Sequence, residues 1–245
     1  MRRLLPDPGD TSVEEALGTL DFTALAHEDR PYTVTNFVLT LDGRATLQGR
    51  SGPLGSDTDT AMLVGLRTCT DALMIGAGTM RVEGYGRPVA DPEKRARRER
   101  QGLSADPLMC IVSGRLDLPW DAGLFTCGEG EVVVFTASDD APPETATPVE
   151  YVRHAGVVDL PAAMAYLRHE RGIRSLLSEG GPHLHAELIE AELVDELFVT
   201  HAPKLAGGEG VHLVAGLPER ERPVSLEWLL EEDGELFGRY RVARS

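Results

Sequence analysis

The stretch "LLSEGGPHLHAELI" (Leu176–Ile189) decides the fold, because its hydrophobic period changes partway through. Leu176 and Leu177 open a β-like apolar run, and the segment ends as an amphipathic helix, with Glu179, Gly180, Gly181 and Pro182 crowded into the join. A buried strand that passes through two glycines into a helix brings bare backbone N–H groups to the helix N-terminus. That setting suits an anion, a diphosphate above all. Glycine has no Cβ to hold a ligand away and tolerates positive φ, and Pro182 suits a first helical turn. In isolation the motif also has a purely structural reading, since strand, glycine turn and helix recur in any α/β domain.

Outward from this join the same alternation recurs. Apolar runs at Tyr32–Leu39, Asp71–Gly78, Leu108–Ser113, Glu131–Ala137, Ser175–Ser178 and Glu196–Ala202 read as strands buried on both faces, and "TAMLVGLRT" (Thr60–Thr68) as a helix between the first two. Asp159 as N-cap, Pro161 in the first turn and Gly172 beyond the end bracket a further helix. At the C-terminus, Asp233 and Gly234 between two β-like segments read as an antiparallel hairpin closing the sheet. The expected fold is therefore α/β. "DALMIGAGTMR" (Asp71–Arg81) repeats the opening device, running a strand into Gly76, Ala77, Gly78 and Thr79, and two such joins suit the two ends of one dinucleotide. Neither is a GxGxxG fingerprint with an acid about twenty residues on, which disfavours the common dinucleotide fold.

Composition narrows the function classes. The 245 residues, 42% hydrophobic, suit one domain of this class. A formal net charge of −16 argues against an extended nucleic-acid or anionic-membrane surface. The basic run "KRARRER" (Lys94–Arg100) is expected as a solvated helix. Three cysteines with no CxxC suggest neither a disulfide framework nor a metal site, and no run approaches a membrane span, so a cytoplasmic chain is expected. The least globular stretches are residues 1–30, 91–102 and 138–148, expected as a tail, a surface helix and a loop.

Several ordered motifs together resemble a known family, the reductase domain of riboflavin biosynthesis. They are "TLDGRAT" from Thr40, "SGPLGS" from Ser51, Leu66–Arg67, "DALMIGAGTMR", "SEGGPHLHAELI" and "VDELFVTHAPKLAGGEG" from Val194, and the likeness spans roughly residues 31–242. The resemblance implies a dihydrofolate-reductase-like three-layer fold with a mostly parallel central sheet, helices on both faces and the C-terminal antiparallel hairpin. Residues 1–30 would be an extension ahead of a reductase domain at 31–245. It implies NADPH as cofactor, with Leu39, the Gly76–Thr79 turn and Gly180, Gly181 and Pro182 around it, and Ser113, Gly114 and Arg115 near the adenosine 2′-phosphate. A cation and a hydroxyl there favour NADPH over NADH.

The same resemblance implies the substrate side. The reaction reduces the ribose of 5-amino-6-(5-phosphoribosylamino)uracil by hydride delivery to C1′ of an opened, imine-like form, and needs a proton donor and a phosphate clamp. Glu179 aligns with a residue that contacts substrate, and a carboxyl in an enclosed pocket can be raised enough to donate a proton. Asp42 orients the pocket or the loop, or serves its own turn with Gly43. Ser51 and Arg67 match positions that hold substrate phosphate. After Thr79 the sequence departs from the family's Asp-Asp-Pro and following arginine: it reads "MRVEGYGRP", in which Glu83 replaces the first aspartate, Arg87 stands for the arginine, and Tyr85 adds an aromatic wall. That keeps a flat, unphosphorylated heterocycle such as a pterin open as substrate, and a catalytically silent nucleotide-binding protein is a further alternative. In the family the reductase is often fused to a zinc deaminase with an HxE and PCxxC signature. His185 and Glu187 form an HxE but no PCxxC exists, so they are expected as two solvent-facing helix residues, with no metal and no deaminase domain. The family also implies a homodimer formed through the sheets.

Overall fold

The computed structural model of the chain describes residues 1–214, 216–217 and 219–243. In chain order its elements are β1 (Arg2–Leu5), β2 (Gly9–Asp10), α1 (Val13–Gly18), β3 (Tyr32–Thr40), α2 (Asp57–Cys69), β4 (Ala72–Gly76), α3 (Ala77–Glu83), α4 (Pro92–Arg100), β5 (Leu108–Val112), α5 (Gly123–Thr126), β6 (Val132–Thr136), β7 (Val149–Arg153), α6 (Leu160–His169), β8 (Ser175–Gly180), α7 (Pro182–Glu190), β9 (Glu196–Ala202), β10 (Val224–Glu232) and β11 (Glu235–Val242). They fall into two compact units. Met1–Leu20, Thr33–Leu66 and the described residues from Ser178 onward form the first, Asp21–Tyr32 with Arg67–Leu177 the second.

In the second unit the strands lie in the order β4-β5-β6-β7, all parallel. β6 is buried at every position, which is why its sequence reads as an unbroken apolar run. β7, last in this order, is the strand that the apolar runs did not reveal: its "VEYVR" is at most half-buried and alternates with polar residues. α6 starts as the sequence requires, with the Asp159 carboxylate accepting from Ala162 N at 3.0 Å, a cap that contributes about 1 kcal/mol.

In the first unit the order is β2-β1-β10-β11-β9-β3-β8. β3 and β9 are parallel, while β9–β11, β11–β10, β10–β1 and β1–β2 are antiparallel. The hairpin turns on Asp233 and Gly234, both at positive φ (51° and 81°), the conformation that an Asp-Gly pair favours. The hairpin does not end the sheet on its side, because β1 and β2 continue it. The first residues are therefore strand and helix instead of a tail. A signal for this lay in "SVEE": Ser12 and Glu15 form a reciprocal capping box, at 3.1 and 3.0 Å, that starts α1. α1 then sets Leu17 so close to α2 that a Cβ on Gly65 would stand 2.5 Å from Leu17 Cδ1.

Helices cover both faces of this sheet. Phe37 of β3 packs on His185 of α7 with ring centroids 4.4 Å apart, whereas its neighbour Val38 clusters with Leu54 and Ala202, and Thr200, in register with Val38, hydrogen-bonds Asp59 of α2. Adjacent strand residues point to opposite faces, so α7 and α2 lie on opposite sides.

Two expectations are corrected. His185 does not face solvent: it is fully buried against Phe37, neither ring nitrogen has a hydrogen-bond partner among the described residues, and burial pushes its pKa down to about 3. Glu187 is exposed as expected. Nor is the basic helix α4 solvated all round. Arg98 is 0% exposed and donates to the carbonyls of Ser104 at 2.8 Å, Thr70 at 2.7 Å and Arg67. The end of α2 leaves carbonyls without intrahelical donors, and a buried guanidinium can serve several at once.

Candidate active site

In the second unit, Gly76 is in register with Val112 across the parallel pair β4–β5. The strands thus end level, and two predicted segments, Gly76–Thr79 and Ser113–Arg115, leave the same end of neighbouring strands, where α/β sheets bind ligands. Gly76 caps α3 in extended conformation with no side-chain bond to the first N–H groups. A Cβ on Gly78 or Gly114 would meet nothing within 4 Å, so neither glycine is demanded by packing. Ser113 is buried, its N–H donating to Phe135 O at 3.0 Å, while Gly114 and Arg115 are exposed. Arg81 ties α3 to the same region, reaching the Asp117 carbonyl at 2.6 Å and its carboxylate at 3.1 Å.

Arg67 emerges half-buried from the last turn of α2, its Nη1 donating to Pro88 O at 3.1 Å and its Cζ 5.7 Å from the centroid of the Tyr85 ring. The structure brings these two candidates together: Tyr85, expected as a wall for a flat ring, stacks on an arginine. Arg87 is placed otherwise than expected for a substrate-phosphate arginine. Nε and Nη2 grip Asp106 at 2.9, 3.1 and 2.6 Å and Nη1 pairs with Glu129, so all three nitrogens already meet carboxylates. Those two charges cancel the cation that a phosphate clamp would require. Glu83 is exposed at the end of α3, next to Gly84 at φ 66°.

In the first unit β3 and β9 also end level, Thr40 opposite Ala202, with Leu39 buried one residue earlier. The loops that follow are tied to each other. Asp42 accepts from Thr40 Oγ1 at 2.6 Å, Ala206 N at 3.1 Å and Gly207 N at 2.7 Å, and these hydrogen bonds, that from Thr40 foremost, hold its carboxyl well below the usual carboxylate range. Of its expected roles, the geometry shows the ordering of the loop. Arg44 donates to the carbonyls of Gly208 and Gly210, and Lys204 Nζ donates to those of Pro53 and Leu54 at 3.1 and 2.7 Å. The turn from Ser51, itself half-buried, is held in this way, and Leu54 N closes it on Ser51 O at 2.9 Å. Reading the sequence missed Arg44 and Lys204. The available signal for Lys204 was a lone cation between a strand end and a glycine pair.

Glu179, half-buried, is the penultimate residue of β8. The two glycines after it have different reasons. Gly180 sits at φ 82°, and a Cβ there would stand 2.9 Å from Phe37 Cζ. Gly181 has φ −73° and is the N-cap of α7, again without a side-chain bond to the first N–H groups; Pro182 follows in the first turn, and the peptide between the glycines is cis.

Level strand ends that run into bare glycine turns define an α/β chain of the class that binds ligands beyond the carboxyl ends of its strands. The chain belongs to the RibD C-terminal domain family, whose model matches residues 31–232. It is 31% identical over 185 residues to the 2,5-diamino-6-ribosylamino-4(3H)-pyrimidinone 5′-phosphate reductase of Archaeoglobus fulgidus, covering 73% of this chain and 83% of that one. To the protein of the same name from Aquifex aeolicus it is 26% identical over 202 residues, 77% and 84% of the two chains. Among solved structures, a pyrimidine reductase-like protein from Corynebacterium diphtheriae superposes with a TM-score of 0.79 at 24% identity, over 96% of this chain and all of that one, a likeness of fold. Membership in a reductase family implies a nicotinamide cofactor. Among the described residues no group of three or more His, Cys, Asp or Glu side chains is placed to hold a metal ion, and no helix is long and apolar enough to cross a membrane.

Proposed function

We propose that the chain is an NADPH-dependent reductase of a ribosylaminopyrimidine 5′-phosphate in riboflavin biosynthesis. Its substrate is 5-amino-6-(5-phosphoribosylamino)uracil or the diaminopyrimidinone for which its relatives are named. One observation carries this reading: β4 and β5 end level, and in the segments that leave them Gly78 and Gly114 face open space, with the hydroxyl residue Ser113 and the cation Arg115 on either side of Gly114 in the chain. That donor set suits a 2′-phosphate.

The residues fit the cofactor. In the second unit Ser113, Gly114 and Arg115 would hold the 2′-phosphate and the N–H groups of the Gly76–Thr79 turn the diphosphate; in the first, Leu39 and the turn of Gly180, Gly181 and Pro182 are the proposed cofactor residues. NADPH supplies a hydride when bound. On the substrate side, Arg67 is the proposed phosphate cation of the second unit; in the first, Lys204 holds the turn from Ser51, the other residue proposed for the phosphate, and Asp42 orders the loop at Ala206 and Gly207. Reduction of the opened imine requires a proton at nitrogen as C1′ gains its hydride, and Glu179 is the proposed donor, with Glu83 as the competing one. Support for the substrate class comes from the 31% identity to the archaeal reductase over most of its length. A homodimer belongs to the same reading. Because β9 is hydrogen-bonded on both sides, such a dimer cannot form through the edge of that strand; a monomer mass by light scattering would remove it.

The test is turnover of the ribosylaminopyrimidine phosphate with each nicotinamide cofactor. NADPH should be preferred over NADH, and Arg115→Ala should narrow the preference about tenfold or more while leaving NADH use intact. Equal use of both by the unsubstituted protein removes the cofactor assignment. Activity with dihydropterins alone overturns the substrate.

A further inference from the structure

The segment from Gly84 to Ala90 departs from the family pattern in carrying Tyr85 between two glycines, and its course is fixed at every step. Gly84 turns the chain at φ 66°. Leu124 N donates to the Tyr85 carbonyl at 2.9 Å, and a Cβ on Gly123 would stand 3.3 Å from Gly86 Cα, so the backbone lies directly on the start of α5. Arg87 is gripped by Asp106 and Glu129. The Pro88 carbonyl accepts from Arg67, and those of Val89 and Ala90 accept from Arg95 at 2.9 and 2.6 Å. From the other side the buried Arg98 holds the carbonyl of Arg67 itself. Together these anchors deliver one side chain, the Tyr85 ring, to within 5.7 Å of the Arg67 guanidinium carbon, the range of a cation–π contact.

We propose that Tyr85 is a positioning residue that sets the preference for a phosphorylated substrate, acting through Arg67. The proposal rests on the reading of Arg67 as the substrate-phosphate cation. An arginine side chain recruited from solution loses rotamer freedom when it meets an anion, and that loss weakens binding. With the ring against its face and the Pro88 carbonyl at Nη1, Arg67 has already lost that freedom in the free protein. The run "KRARRER" acquires a role in the same device: Arg95 and Arg98 fasten the backbone on either side of the stacked pair.

Steady-state kinetics with NADPH test this on two probes, the ribosylaminopyrimidine 5′-phosphate and its dephosphorylated counterpart. Tyr85→Leu should raise KM for the phosphorylated probe about tenfold, with kcat little changed and KM for the dephosphorylated probe unaltered. Tyr85→Phe, which keeps the ring and its packing, should behave as the unsubstituted protein. An equal loss on both probes, an unchanged KM in Tyr85→Leu, or a rise in Tyr85→Phe as large as in Tyr85→Leu overturns the proposal. Arg67→Met separates it from the reading beneath. If Arg67→Met leaves the advantage of the phosphorylated probe intact, the role of Arg67 fails; if Arg67→Met abolishes that advantage and Tyr85→Leu does not, only the role of Tyr85 falls. The NADPH-induced thermal shift of each variant reports whether it is folded.

Discussion

Gly180→Ala and Gly181→Ala differ by one methyl group at adjacent positions, yet the structure assigns them very different effects. At Gly180 the backbone has φ 82°, where an L-residue costs about 1–2 kcal/mol. The new Cβ would also lie 2.9 Å from Phe37 Cζ and 3.3 Å from Cε1. The ring cannot simply retreat, since His185 packs against it with centroids 4.4 Å apart; overfilling of this kind costs about 1–3 kcal/mol more. Gly180→Ala should therefore lose about 2–5 kcal/mol in urea unfolding. At Gly181, φ is −73°, open to any residue, and Gly181→Ala should lose no more than about 1 kcal/mol. A double-mutant cycle with Phe37→Leu, which lacks the Cζ, isolates the contact: roughly half of the Gly180→Ala loss should disappear in that background, leaving the cost of the φ. Equal urea midpoints for the two alanine variants, or a Gly180→Ala loss untouched by Phe37→Leu, would refute the assignment of the two glycines.

Two further outcomes concern protons. His185 is held down to about 3 by burial, whereas an exposed histidine takes its proton near 6.5. The unfolded chain thus binds more protons in that window, and stability falls as pH drops through it. In His185→Leu the urea midpoint should decline less between those two values, and an identical decline in both proteins would show that His185 is not the source. The Asp42 carboxylate is held below its ordinary 3.8 by hydrogen bonds, so its tie to Ala206 and Gly207 should persist above that value and be lost as pH falls below it. Asp42→Asn places an amide N–H where a carboxylate oxygen accepts one of these donors. It should speed amide exchange at Ala206 and Gly207 at neutral pH, and unchanged exchange would remove the loop-ordering role.

How much of this was legible in the residues follows from the range of the interactions. The parallel strands other than β7, the helix after Asp159, the Asp233–Gly234 hairpin and both glycine joins could be read because each depends on local pattern: unbroken apolar runs, caps, and residues that tolerate positive φ. The ordered motifs pointed to the family that the matching of residues 31–232 establishes. What could not be read was every feature set by a partner distant in sequence. β1 is a strand because β10, more than two hundred residues later, pairs with it. His185 is buried because Phe37 lies across from it, and Arg98 because the end of α2 leaves carbonyls there. The same logic divides the candidate cations. From composition Arg67 and Arg87 are alike, but Arg87 meets Asp106 and Glu129 while Arg67 lies under the Tyr85 ring. A side chain's chemistry belongs to the sequence, but whether its charge is cancelled, stacked or buried depends on neighbours that only the folded chain brings within a few ångströms.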